Sequence, residues 1–197
     1  MTGLVLASKS ASRSAVLAGA GVVFDTEDSG VDEGELKTEL LYRRATPLEV
    51  AQALARAKAL AVSRRRSGLV IGADQTLDLA GALYDKAADV AEAAERLRRF
   101  RGRTHQLHAA LALARDGAVI WESVESPSLT MRDFSDAWLE TYLAAHGQAV
   151  LGSVGCYHLE GAGAQMFEAI DGDYFAILGL PLLPLLAKLR ELGALAS

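Results

Sequence analysis

Leu69-Val70-Ile71-Gly72-Ala73 is apolar at every position and runs directly into Asp74. A strand with one face in water alternates apolar and polar residues. A strand that is apolar on both faces needs cover on both faces, so this run predicts a sheet with helices packed on it. A helix precedes it. Thr46 serves as N-cap, Pro47 as the first helical residue and Glu49 closes a capping box. That helix is expected to reach about Ser63, with Val50, Leu54, Ala57 and Ala61 on one face.

The same signals punctuate the rest of the chain. Leu4 to Ala7 reads as a strand, followed by a polar loop and a helix from about Ser12 to Ala20 that stops at Gly19 and Gly21. Val22 to Phe24 reads as a second short strand, while Asp25 to Leu41 is acidic and shows no assignable period. Asp89 and Glu92 open a helix to about Phe100. Gln106 to Ala114 and Val119 to Met131 read as strands joined by a hairpin at Asp116-Gly117. Ser135 caps a helix ending near His146-Gly147. The apolar Tyr174 to Leu178 precedes a helix that begins at Pro181 and stops at Gly193. Helices mixed with strands and a long hairpin predict an α/β fold with a mixed sheet. No linker or repeat divides residues 1–197, and this length suits a single domain.

Charge and cysteine content limit the function. The net charge of −5 and pI near 5.4 disfavour capture of duplex nucleic acid, which needs a basic face. A local cluster of Lys and Arg still permits a small anionic substrate. One cysteine, Cys156, excludes an internal disulfide and a multi-cysteine zinc site. The longest apolar run, Phe175 to Ala187, is too short to span a bilayer and contains two prolines. Met1-Thr2-Gly3 lacks the basic start of a secretion leader. A cytoplasmic protein without membrane or nucleic-acid partners is the expectation.

Three constellations can carry chemistry. The first is Ser8 to Arg13, a polar loop between a strand and a helix N-terminus, where backbone N–H groups and the helix dipole favour an anion. Ser8, Ser10 and Ser12 add hydroxyls and Arg13 adds a fork suited to phosphate. No Walker loop occurs, and an ordinary solvated cap is the alternative. The second is Asp74 at the carboxyl end of the apolar strand, where α/β folds bind ligands. It can hold a divalent cation or take a proton from water, or it can be a turn aspartate. The third is Glu33, Lys58 and Lys86, charged residues that matter only if the fold gathers them. His105 and His108 lie three apart in a strand, so they point to opposite faces and cannot share a metal.

Taken in order, several segments resemble the Maf family of nucleoside triphosphate pyrophosphatases. They are Leu6-Ala7-Ser8-Lys9-Ser10-Ala11-Ser12-Arg13, Val31-Asp32-Glu33, Ala55-Arg56-Ala57-Lys58-Ala59 and Val70-Ile71-Gly72-Ala73-Asp74-Gln75. Lys86, Gly102-Arg103-Thr104-His105, Gly155-Cys156-Tyr157, Glu160-Gly161, Gly172-Asp173-Tyr174 and Ile177 to Leu182 follow. The resemblance implies an elongated mixed sheet flanked by helices, with two lobes around a central cleft, as in the inosine triphosphate pyrophosphatases. It implies hydrolysis of a standard or modified nucleoside triphosphate to the monophosphate and pyrophosphate, with Mg²⁺ or Mn²⁺. Asp74 falls on the family's catalytic aspartate, Ser8 and Arg13 on its phosphate loop, and Glu33, Lys58 and Lys86 on its acid and lysines.

Glu33 and Asp74 would hold the metal, with Asp74 as general base. Lys58, Lys86 and Arg13 would neutralise the departing pyrophosphate. Ala11 and Ala87 stand where the family usually has proline, and neither change removes a catalytic group. Ser12, Gln75 and Glu160 fall on positions that vary with specificity. Gln75 and Glu160 resemble the branch acting on 7-methyl-GTP. Ser12 lacks that branch's aromatic residue, a stacking surface worth about 1–3 kcal/mol. The base expected is a purine or modified guanine. The family's link with septum formation supplies the alternative, a nucleotide-binding regulator without significant turnover. A homodimer is the base-rate expectation.

Overall fold

A computed structural model describes residues 3–196; Ser197 lies outside it, as do Met1 and Thr2, on which the expectation of no secretion leader partly rests. Within the described residues, β1 (Leu4–Ala7), α1 (Ala11–Gly19) and β2 (Asp25–Thr26) lead to α2 (Glu33–Tyr42) and α3 (Pro47–Ser63). Next come β3 (Leu69–Leu79), β4 (Ala82–Tyr84), α4 (Val90–Phe100) and β5 (Thr104–Arg115). Then follow β6 (Ala118–Glu125), β7 (Ser128–Met131) and α5 (Asp136–Val150). The chain ends with a 3₁₀ turn (Ala162–Met166), β8 (Phe167–Asp171), α6 (Tyr174–Ile177) and α7 (Leu182–Glu191). No helix among the described residues is long and apolar enough to cross a membrane.

The apolar run at Leu69 is the start of a longer strand, and Asp74 stands at its sixth residue, not at its end. Its parallel neighbour β1 stops at Ala7, opposite Gly72, so Asp74 still lies just past the end of the parallel pairing. The eight strands form one mixed sheet in the order β2-β1-β3-β5-β7-β8, with β4 beside β3 and β6 beside β5. β1 runs parallel to β2 and β3, and the remaining pairs are antiparallel. β3 and β5 pair from Val70↔Ala114 to Asp78↔Gln106 and form the spine. One end of that spine is flanked by β1 and β6, the other by β4 and β7. A separate apolar core sits at each end. One gathers Leu6, Leu17, Ile71, Leu113 and Leu185; the other gathers Leu77, Leu97, Phe100, Leu129 and Phe134. These are the two lobes.

Several local expectations need correction. The strand expected at Val22–Phe24 lies instead at Asp25–Thr26, and Val23 is 90% exposed. Part of the acidic stretch is helix α2, capped by Asp32, whose side chain accepts from Glu35 N at 2.9 Å. It escapes periodicity because it buries no residue. Val119–Met131 is two strands. Pro127 has no N–H for the ladder, and the chain leaves β6 there to rejoin β5 as β7. The apolar Tyr174–Leu178 is a single helical turn. The hairpin at Asp116-Gly117 does form, with both residues at the positive φ that a type I′ turn requires.

Helix α3 explains why Gly72 interrupts the apolar run. Ala51, Ala55 and Ala59 lie against Ala110, Ala112 and Ala114 of β5. The buried face is therefore turned by about one residue from the face expected at Ala57 and Ala61. Small side chains on both surfaces let the helix come unusually near the sheet. A Cβ on Gly72 would lie 2.1 Å from the Ala55 carbonyl oxygen and 2.6 Å from Ala59 N. Both helix ends are pinned: Thr76 Oγ1 donates to Pro47 O at 2.8 Å, and Gly117 N donates to Ser63 Oγ at 3.0 Å.

In the opposite lobe, His105 stacks on Phe100 with ring centroids 5.3 Å apart, and its Nε2 lies 2.7 Å from Tyr157 Oη. Its Nδ1 is buried without a partner among the described residues. Burial lowers the His105 pKa from 6.5 to about 4. The unfolded chain therefore binds this proton more readily than the folded one, and stability rises with pH through that window.

Two outcomes follow. Gly72→Ala forces α3 off the sheet and lowers stability by at least about 2 kcal/mol, a drop of roughly 4–8 °C in Tm for a chain of this size, read by thermal melting. His105 contributes stability that is complete above pH 6.5 and lost as pH falls toward 4. Its share is about 3 kcal/mol. Urea unfolding across that range should show a pH slope that flattens in His105→Gln.

Candidate active site

The β1–α1 turn is built by its serines. Ser8 is buried at the end of β1, and its Oγ accepts from Ser10 N at 3.2 Å and from Arg13 Nη1 at 3.3 Å. Ser10 is the N-cap of α1, its Oγ accepting from Arg13 N at 3.4 Å. Arg13 Nε donates to Gly179 O at 3.0 Å, so the guanidinium is fixed at two points with its other N–H groups still available. Gly179 adopts a φ of +93°, which turns that carbonyl toward α1. Burial lowers the Arg13 pKa from its ordinary value, opposed by the nearby charges of Asp74 and Glu33, and an arginine remains a cation under both influences.

This turn forms one wall of a cleft of about 990 Å³ between the lobes. Every candidate site residue lines it: Ser8, Ser10, Ser12, Arg13, Glu33, Lys58, Asp74, Gln75, Lys86 and Glu160. The pleat of β3 sends Asp74 to the face covered by α3 and Gln75 to the other face. On the α3 face, Lys58 Nζ lies 2.6 Å from Asp74 Oδ1 and 2.8 Å from Glu33 Oε1. Lys58 and Asp74 are buried; Glu33, the first residue of α2, is half-exposed. The close seat of α3 thus delivers an ammonium to the strand carboxylate, and α2 adds a second carboxylate from the rim.

Gln75 Nε2 donates to Ala176 O at 2.8 Å and to Ile177 O at 3.1 Å, and Ser12 Oγ donates to Leu178 O at 2.8 Å. With Arg13 on Gly179, three side chains fasten the C-terminal end of α6 and the two residues that follow it. Lys86 projects from the β4–α4 connection, exposed and without a salt bridge among the described residues. Glu160 is exposed on the segment that follows α5.

Residues 3–192 match the family described as Maf-like protein. The chain belongs to that family. It is 54% identical over 195 residues to a nucleoside triphosphate pyrophosphatase of Caulobacter vibrioides, covering 99% of this chain and 98% of the relative. It is 49% identical over 193 residues to a 7-methyl-GTP pyrophosphatase of Rhizobium meliloti, covering 98% and 97%. It is 50% identical over 189 residues to a protein of the same description from Brucella suis, covering 95% of each chain.

The Maf-like cleft contains further charged groups that the sequence alone does not single out. Lys37 of α2 pairs with Asp85 on the opposite lobe, and Lys9 pairs with Asp28 at 2.6 Å. The helix carrying Lys37 had a readable start, since Asp32-Glu33-Gly34-Glu35 has the spacing of a helix cap. Among the described residues, no cluster of three or more His, Cys, Asp or Glu side chains makes a metal cage. Glu33 and Asp74 nevertheless converge on one point, each through a single oxygen on Lys58. Mg²⁺ is often bound by one or two carboxylates completed by phosphate oxygens and water. This donor set fits a cation shared with a phosphate chain, not one held by protein alone.

Lys58 compensates a buried carboxylate. Lys58→Met leaves Asp74 buried without its ammonium and lowers stability by about 3 kcal/mol, measured by urea unfolding at neutral pH.

Proposed function

We propose that this protein is a nucleoside triphosphate pyrophosphatase, converting a nucleoside triphosphate to the monophosphate and pyrophosphate in the interlobe cleft. The observation that carries this reading is the meeting of the Glu33–Lys58–Asp74 cluster and the Ser8–Arg13 turn in one cleft. The pyrophosphatase descriptions of its near-full-length relatives support it.

In this mechanism the phosphate chain rests on the N-terminus of α1, where backbone N–H groups and the helix dipole meet its charge. Arg13, held by Ser8 and Gly179, offers its remaining N–H groups to phosphoryl oxygens. Asp74 orients a water toward the α-phosphorus and accepts its proton as the new P–O bond forms. The bond to the β-phosphate breaks, and the electron pair leaves with pyrophosphate. Lys58, bonded to Asp74 Oδ1, holds that carboxylate in place. Lys86, with no salt bridge among the described residues, neutralises charge growing on the pyrophosphate. Glu33 and Asp74 are the residues that would hold a divalent cation. Mg²⁺ or Mn²⁺ bound there supplies polarisation of the phosphoryl oxygens and charge neutralisation.

A purine or modified guanine is the base this site suits. With both Gln75 amide hydrogens engaged by Ala176 and Ile177 carbonyls, its Oε1 is left as an acceptor. Glu160 adds a carboxylate that accepts from guanine N–H groups and complements a methylated, cationic ring.

The test is pyrophosphate release with Mg²⁺ or Mn²⁺ across the standard nucleoside triphosphates, 5-methyl-UTP, pseudo-UTP and 7-methyl-GTP. Turnover of one or a few is expected, and Asp74→Asn should lower kcat by about 10²–10⁴-fold while still melting cooperatively. Silence of folded wild-type protein across the panel, or full turnover by Asp74→Asn, would sink the proposal.

A further inference from the structure

Arg96 of α4 is a buried cation that does not line the cleft. Its Nη1 donates to the Asp85 carbonyl and, at 2.9 Å, to the Val154 carbonyl; Nη2 donates to Glu92 Oε1 at 2.7 Å. One guanidinium nitrogen therefore joins two segments far apart in the chain. Both border the cleft. Asp85 immediately precedes Lys86 in the β4–α4 connection, and Val154 stands in the 151–161 segment that carries Glu160.

Neither segment has helix or strand of its own to hold it. Among the described residues, only two side chains from elsewhere hydrogen-bond into residues 151–161. They are Arg96 at Val154 and His105 at Tyr157. The Asp85–Ala88 side is closed by the same network, because Glu92 Oε2 accepts from Ala88 N at 2.8 Å while Oε1 holds Arg96. The guanidinium also lies 5.6 Å from the Tyr84 ring centroid. Cys156 sits at this junction. Burial raises its thiol pKa, and the Arg96 charge and the Ala87 N–H oppose that rise.

Filling space does not explain this residue. A buried guanidinium is costly to desolvate, and an apolar side chain of similar volume packs at least as well. What a guanidinium adds is direction, since its rigid fork fixes the spacing of the carbonyls it serves. We propose that Arg96 is a positioning residue for the pyrophosphatase reaction. It sets Lys86 and the Glu160 segment in register, and this inference rests on the reading of the cleft given above.

The experiment is a double-mutant cycle on pyrophosphate release with Mg²⁺, using wild type, Arg96→Met, Lys86→Ala and the double variant. The substrates are the nucleotide that wild type uses best and one it uses poorly. Arg96→Met should lower kcat/KM about 10–100-fold, mainly through kcat, and narrow the discrimination between the two nucleotides. The double variant should be no more than about 3-fold worse than the poorer single variant, because both changes disable the same cation. Arg96→Lys, which can still serve one carbonyl, should lose less. Losses that multiply in the double variant, or a lower Tm with kcat and discrimination unchanged, would overturn the proposal and leave Arg96 a packing residue. If Arg96→Met does not fold, Arg96→Lys and Glu92→Gln enter the same cycle with the same criteria. Wild type that releases no pyrophosphate overturns the pyrophosphatase reading itself. Active wild type with multiplying losses overturns only the role of Arg96.

Discussion

Everything in this molecule depends on how near α3 lies to the sheet. The helix presents Ala51, Ala55 and Ala59 to a matching alanine surface on β5, and Gly72 on β3 removes the last obstacle. Dispersion contacts between such small groups are individually weak, but close seating multiplies them. The chemical result is local. A lysine side chain on a distant helix would need to extend through solvent to reach a strand carboxylate. On a helix this close, Lys58 meets Asp74 at 2.6 Å while both are buried. Packing of the least reactive residue types thus sets the geometry of the most charged ones.

The cleft balances its charges in an ordered way. Lys9, Lys37 and Lys58 each have a carboxylate partner, whereas Arg13 is fastened by neutral oxygens and Lys86 has no salt bridge among the described residues. An anionic ligand therefore meets two cations whose charge is not already answered by an ion pair. This is how a chain with net charge −5 can present a site suited to polyphosphate.

How much of this was legible in the sequence varied with the kind of signal. The capping box at Thr46, the Asp116-Gly117 turn and the buried run at Leu69 are local devices, and each appears in the structure where the residues put it. Helix α2 was missed because it buries nothing, so it leaves no stripe; only its cap was readable. Asp74 was misplaced along its strand because the apolar run ends at Ala73 while the ladder continues past it. Within the site, the serines and Arg13 were readable as a strand–loop–helix turn. Glu33, Lys58 and Lys86 gained meaning only through resemblance to a family, since nothing in their neighbours shows that they converge. The duties of Gly179 and Arg96 are carried by backbone carbonyls contributed by remote segments, and such partners leave no mark in residue types.

The spine has a mechanical consequence. β3 and β5 run unbroken through both lobes, joined by nine paired positions. Two domains connected by a flexible linker can swing apart like a door, but lobes that share a continuous ladder can separate only by twisting it. The width of the gap is therefore set by two shared strands and not by a linker. The rim is built differently: α2 buries no residue of its own, and the two irregular segments bearing Lys86 and Glu160 are joined through Arg96. The slot is thus framed by shared strands and edged by side-chain contacts.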